Sequence, residues 1–182
     1  MWVKTTQKRE EFCLRISGVS NGKHRFSIVC DKAFFEIADI TEVEDGLLNL
    51  TIDLQKNETM LEFAFHFEGE VVAVCDRCLE PVSLPLNFDD ELIVKYSALI
   101  DDIEIEDDMI WVVPENVFEL DIFHFVYESI ILALPIQIFH PDDKNGKSTC
   151  NSEVLEQLKK LSTKESSRED PRWEGLKNLD LN

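Results

Sequence analysis

Two stretches of strict alternation dominate the middle of the chain. Leu48, Leu50, Ile52 and Leu54 alternate with Asn49, Thr51, Asp53 and Gln55, and beyond a reversal at Asn57, Leu61, Phe63, Phe65 and Phe67 alternate with Glu62, Ala64, His66 and Glu68. A period of two places one set of side chains on each face of a strand, so the pattern predicts a long antiparallel pair with one buried face and His66 on the solvated one. Upstream, Phe12, Leu14 and Ile16 suit a short strand closed by Gly18, and Asn21-Gly22 is a turn. His24 to Cys30 is a second strand, and Asp31 is placed to cap a short helix carrying Phe34 and Phe35. Gly69 interrupts the alternation and predicts a bulge before Val71 to Val74. Val82, Leu84, Leu86, Leu92 and Val94 continue as a returning strand, and Met109 to Val113 reads as a last edge strand.

The period changes after Pro114. From about Glu119 to Leu134, Ile122, Phe125, Val126, Ser129, Ile130, Ala133 and Leu134 fall on one side of a helix ended by Pro135, with His124, Tyr127 and Glu128 as a narrow polar stripe. So apolar a helix is expected to lie buried on the sheet. Asn151 or Ser152 can cap a second, short helix with Val154, Leu155, Leu158 and Leu161. Ser162 to Glu169 reads as a polar linker, and Trp173, Leu176 and Leu179 recur every three residues, as in an amphipathic turn. The expected fold is α+β: a mostly antiparallel sheet over residues 12–113, open or curled towards a barrel, one long covering helix and a short helical tail. Residues 1–161 would form one domain, and 162–182 a flexible linker with a C-terminal Asp-Pro-Arg-Trp segment.

Composition narrows the function. With 44% hydrophobic and 30% charged residues in 182, the chain can bury one good core. The first eleven residues lack an apolar targeting region, and no uncharged run approaches membrane-spanning length, so the expected location is cytoplasmic, away from membranes. In that reducing compartment the five cysteines are expected as thiols or metal ligands, with Cys13 and Cys30 as core or rim residues. Net charge is −19, divided as +4 over residues 1–30, −24 over 31–143 and +1 over 144–182. An acidic body repels phosphate and attracts basic proteins, although acidity also serves solubility alone. Six carboxylates among residues 101–108 predict a solvated loop, since they lack the glycine and terminal glutamate of a calcium-binding hand. Phosphate-binding glycine loops, nucleophile elbows and His-Glu-x-x-His helices are all missing, which argues against an enzyme and against a small-molecule substrate.

The pair Cys75-Asp76-Arg77-Cys78 carries the sharpest chemistry. Two intervening residues let a backbone knuckle aim both sulfurs at one metal; the same spacing also serves redox dithiols or a plain turn. A redox pair would open a helix, whereas here Pro81 and further strand-like sequence follow.

The octet Cys-Asp-Arg-Cys-Leu-Glu-Pro-Val after an apolar strand resembles the central motif of the YceD family, the bacterial large ribosomal RNA subunit accumulation proteins. Glu128 to Pro135 resembles that family's glutamate-containing helix ending in Leu-x-Pro. Asp170-Pro171-Arg172-Trp173 with Leu176 resembles its C-terminal signature, and the likeness spans roughly residues 12–179. The resemblance implies a non-enzymatic accessory in 23S ribosomal RNA accumulation and ribosome biogenesis. It marks Arg77, Glu80, Pro81, Glu128, Asp170, Pro171, Arg172 and Trp173 as motif residues, with Glu128 expected to pair with Arg77 or Arg172. Many members carry further Cys-x-x-Cys pairs after the Leu-x-Pro helix, where this chain has only His140 and Cys150. Cys75, Cys78, His140 and Cys150 would then form a closed, structural Zn²⁺ site; otherwise His140 caps the helix exit and Cys150 is a buried thiol. The expected partner is a basic ribosomal or assembly protein, with ribosomal RNA served indirectly. Direct RNA binding through Lys4, Lys8, Arg9, Arg15, Lys23 and Arg25 with Lys159, Lys160, Lys164 and Arg172 is a second reading, and a metal-dependent enzyme a third.

Overall fold

The structure is a computed structural model that describes residues 9–38, 43–99, 103–107 and 110–162. Two compact units divide the chain, Met1–His140 and Pro141–Asn182. The first contains β1 (Cys13–Arg15), β2 (Gly22–Cys30), α1 (Lys32–Ala38), β3 (Val43–Lys56), β4 (Met60–Val74), β5 (Pro81–Ser97), β6 (Glu104–Asp107), β7 (Ile110–Pro114), β8 (Glu119–Asp121) and α2 (Phe123–Ala133). In the second, α3 (Ser152–Leu161) follows a turn in which Asp142 bridges Ser148.

The long alternations form the centre of the sheet. β3 and β4 pair antiparallel, Leu54 opposite Phe63, Ile52 opposite Phe65 and Leu50 opposite Phe67. β4 pairs in the same sense with β5 along its whole length, and the strand order is β2-β3-β4-β5-β7-β6. This sheet is open, so it does not close into a barrel. Its inner face buries Leu48, Leu50, Ile52, Leu61, Phe65, Phe67 and Leu92 almost completely. Phe67 stacks on Phe88 with centroids 4.5 Å apart, and Phe65 meets Phe125 of α2 at 4.8 Å. Truncating so buried a phenylalanine to alanine typically costs about 3–5 kcal/mol. α1 begins as its sequence predicts, Asp31 Oδ1 accepting the N–H groups of Ala33 and Phe34.

Several expectations need correction. Glu119–Asp121 is a strand paired with β1, Leu14 opposite Leu120, so the helix starts only at Phe123. Buried Leu120 needs an extended backbone to face the core, and Asp121 Oδ1 accepts the Phe123 N–H to begin the helix there. Three helices are defined among the described residues, and α2 buries only one side: Phe123, Phe125, Val126, Ser129 and Ile130 are inside. The segment at Ile110–Pro114 is internal, parallel to β5, and the edge is β6, drawn from the acidic run expected as a loop. An edge strand has one free side and tolerates carboxylates there. Gly69 is no bulge, because the register runs unbroken through Leu48 opposite Gly69; the irregularity falls between Val43 and Asp45. Gly69 instead allows close approach: with φ +155°, a Cβ there would lie 2.1 Å from the Leu47 carbonyl oxygen. Asp170 to Trp173, like residues 163–182 as a whole, lies outside the described residues.

Gly69→Ala should therefore lower the urea midpoint by an amount corresponding to roughly 2–3 kcal/mol, in the upper range for single substitutions. An unchanged midpoint would show that β3 and β4 do not approach as closely as described.

Candidate metal centre

Cys75 follows β4 directly, and the chain reverses over the six residues from Cys75 to Glu80 before β5 begins at Pro81. Cys75 N–H donates to the Glu80 carbonyl at 3.0 Å and Leu79 N–H to the Cys75 carbonyl at 2.9 Å, closing a tight knuckle. Leu79 takes φ 59° to complete it, a left-handed conformation rare for a leucine, and is 75% exposed. The knuckle is tied to the stretch after α2. Asp76 N–H donates to the Ile138 carbonyl at 2.8 Å, and Asp76 Oδ2 accepts the Ile138 N–H at 2.6 Å. This clamp spans 62 positions in sequence and sets His140, two residues on, beside the sulfurs.

His140 Nδ1 lies 3.4 Å from Cys78 Sγ, and Nε2 lies 3.2 Å from the Pro81 carbonyl oxygen. A carbonyl can only accept, so Nε2 carries the proton and Nδ1 presents its lone pair to the thiols. Ligating histidines are commonly oriented by such a second contact. Burial opposes ionisation of Cys75, but backbone N–H groups of Cys78, Arg77 and His140 point at its sulfur and bring its pKa from 9.0 down to about 6. Cys75, Cys78, His140 and Cys150 each offer one ligand atom, and these atoms all lie within 4.8 Å of one another. Tetrahedral coordination with three sulfurs and one nitrogen requires ligand atoms about 3.5–3.8 Å apart, so a small contraction suffices. All three cysteines are buried. A set of three buried thiols and a half-buried imidazole, with no carboxylate, fits a soft tetrahedral cation rather than Mg²⁺ or Ca²⁺.

The other motif residues have separate places. Arg77 stacks over the Phe139 ring at 4.5 Å. Glu80 supplies the carbonyl for Cys75 N–H, and Pro81 the carbonyl for His140. Glu128 does not meet Arg77; its Oε1 lies 3.2 Å from His124 Nε2 at the surface, where a carboxylate on an apolar helix stays hydrated. Arg172, the other expected partner, is outside the described residues. Sequence reading missed Asp76, whose role appears only through Ile138.

The family model for the large ribosomal RNA subunit accumulation protein YceD matches residues 63–180, well over half of the chain. The chain belongs to the YceD family. The match begins in β4 and includes the knuckle, α2 and all four members of the cysteine–histidine group. No curated protein and no solved structure matches the chain. The YceD family is one of ribosomal RNA accumulation, and no helix among the described residues is long and apolar enough to cross a membrane.

Asp76→Ala removes one half of the clamp and should weaken metal binding about 10–100-fold, as losses of ligand-orienting contacts do. Asp76→Asn, which keeps an acceptor oxygen for Ile138 N–H, should recover most of it. Competition with a chromophoric chelator measures both; an alanine variant with unchanged affinity would remove Asp76 from the site.

Proposed function

We propose that this protein is a non-enzymatic accessory of large-subunit ribosomal RNA accumulation, acting in the cytoplasm by holding a basic ribosomal or assembly protein, with its knuckle fixed by a structural Zn²⁺. The observation that carries the biological part is the family match over residues 63–180. Charge placement supports the partner. The outward face of β4 and β5 exposes Glu62, Glu68, Glu70 and Glu91, together with Asp89, which meets His66. Such a field steers a cationic protein and repels a phosphate backbone.

Three of the six described basic residues of the direct RNA reading are paired with carboxylates. Arg9 pairs with Asp121 at 3.1 Å, Arg15 with Glu119 at 3.3 Å and Arg25 with Asp53 at 2.6 Å. Each arginine faces a carboxylate that phosphate would have to displace. The donor set argues for structural metal, because four protein ligands leave no open position for a substrate. When bound, Zn²⁺ would supply a cross-link between the knuckle and the later ligands and no reaction step.

Deleting the gene should lower large-subunit relative to small-subunit ribosomal RNA, and the wild-type gene should restore the ratio where a Glu68→Lys, Glu91→Lys double variant does not. An unchanged ratio in a clean deletion rules out the accessory role; full rescue by the double variant rules out the acidic face. For the metal, protein purified from replete cells should carry about one Zn²⁺ per chain. Cys78→Ser or a strong chelator should remove it and lower Tm by several degrees, with faster loss at acidic pH because protons compete for thiolates. Metal-free protein with the Tm of the untreated protein would overturn the structural role.

A further inference from the structure

The far end of α2 is built unlike a solvent-facing helix end. Ile131, Leu132, Ala133, Leu134, Pro135 and Ile136 are six consecutive apolar residues, none of them buried. Leu132 is 83% exposed and Ile136 fully so. By contrast, α3 turns Glu153, Glu156, Lys159 and Lys160 to solvent. Ile131 and Leu134 pack partly against the core, and Leu132, Pro135 and Ile136 are left as an exposed apolar patch of the kind that marks a contact surface. Beside the run lies a crevice of about 450 Å³, with Phe125 and Ile131 among its apolar walls and Tyr127 and Leu132 beside them.

Two carboxylates border the same crevice, Asp90 from β5 and Glu128 from α2. Asp90 accepts from Ser129 Oγ at 2.6 Å and from Glu91 N–H at 2.8 Å, while Glu128 faces His124. Among the described residues, neither is paired with a lysine or arginine. Whatever covers the apolar run also desolvates these charges, and must therefore bring cations of its own. Nucleic acids and anionic lipid surfaces bring phosphate and are repelled. A second copy of this chain is disfavoured, because a two-fold pairing through this patch sets like carboxylates against one another on chains of charge −19.

We propose that the apolar end of α2 and its adjoining crevice are a docking surface for an amphipathic segment of a partner protein, presenting a leucine-rich face flanked by lysines or arginines. This rests on the reading of a basic protein partner and adds a second contact, on the face of the sheet opposite the exposed carboxylates of β4 and β5. Leucine-like side chains fill the crevice against Phe125 and Ile131, and the flanking cations reach Asp90 and Glu128, the arrangement by which an amphipathic helix sits in a groove.

The test uses the full chain and two fluorescent helical peptides with the same leucine face, one flanked by lysines and one by glutamates. Fluorescence anisotropy should show binding of the lysine peptide alone. Leu132→Asp and Glu128→Lys, both at exposed positions, should each weaken it about tenfold or more with Tm unchanged, and Asn49→Asp on the opposite sheet face should leave it unaltered. A photo-crosslinking residue in place of Leu132 should capture the lysine peptide. Equal binding of both peptides, binding of neither, or indifference to Leu132→Asp overturns the proposal. So does a crosslink from position 132 only to residues 163–182 of the same chain, or to a second copy. Failure here while the deletion strain still shows a lowered large-subunit RNA ratio removes this surface and leaves the basic-partner reading standing.

Discussion

The register of β4 between β3 and β5 is the constraint on which the first unit depends. Phe63, Phe65 and Phe67 all point inward because pairing runs without a slip from Met60 to Val74 on the β5 side. A shift of one residue would turn every one of these rings to solvent and bring Glu62, His66 and Glu68 into the core. The close approach at Gly69 holds β3 in the same frame while leaving no room for a side chain. Buried and acidic faces are thus two results of one alternation, and neither can be altered by sliding the strands without losing the other.

The same register delivers the knuckle. Because β4 ends at Val74 and β5 starts at Pro81 in direct pairing, the cysteines are held at the mouth of a hairpin whose arms are already fixed. Hydrogen bonds then do the finer placement. Backbone N–H groups converge on the Cys75 sulfur, Pro81 fixes the His140 tautomer, and Asp76 joins the knuckle to Ile138. A thiolate formed in such a setting is stabilised before any metal arrives, which keeps the cost of deprotonation low.

What was legible in the sequence follows the range of the interactions. The paired strands at 43–56 and 60–74 and the short capped helix could be read, since period and capping are local. Glu119–Asp121 could not: three residues adopt the extended form only because β1, more than 100 positions earlier, pairs with them. Likewise, nothing in Ile110–Pro114 announces a parallel neighbour, and Gly69 looks the same whether it forms a bulge or admits a backbone. At the metal centre, two cysteines three positions apart advertise themselves, while the Asp76 clamp depends on a contact 62 positions away. The surface position of Glu128 could not be read for a related reason. Periodicity shows which residues share a side of a helix, but not how much of that side the sheet covers.

That 62-residue separation also orders events in time. The β3–β4–β5 meander needs only neighbouring sequence and can form early, whereas the knuckle meets Ile138 and His140 after β7, β8 and α2 have all been laid down. While the chain is being synthesised, Cys75 and Cys78 therefore wait without their histidine. The group that could hold a metal ion is therefore assembled only late in synthesis, after most of the first unit has its sequence in place.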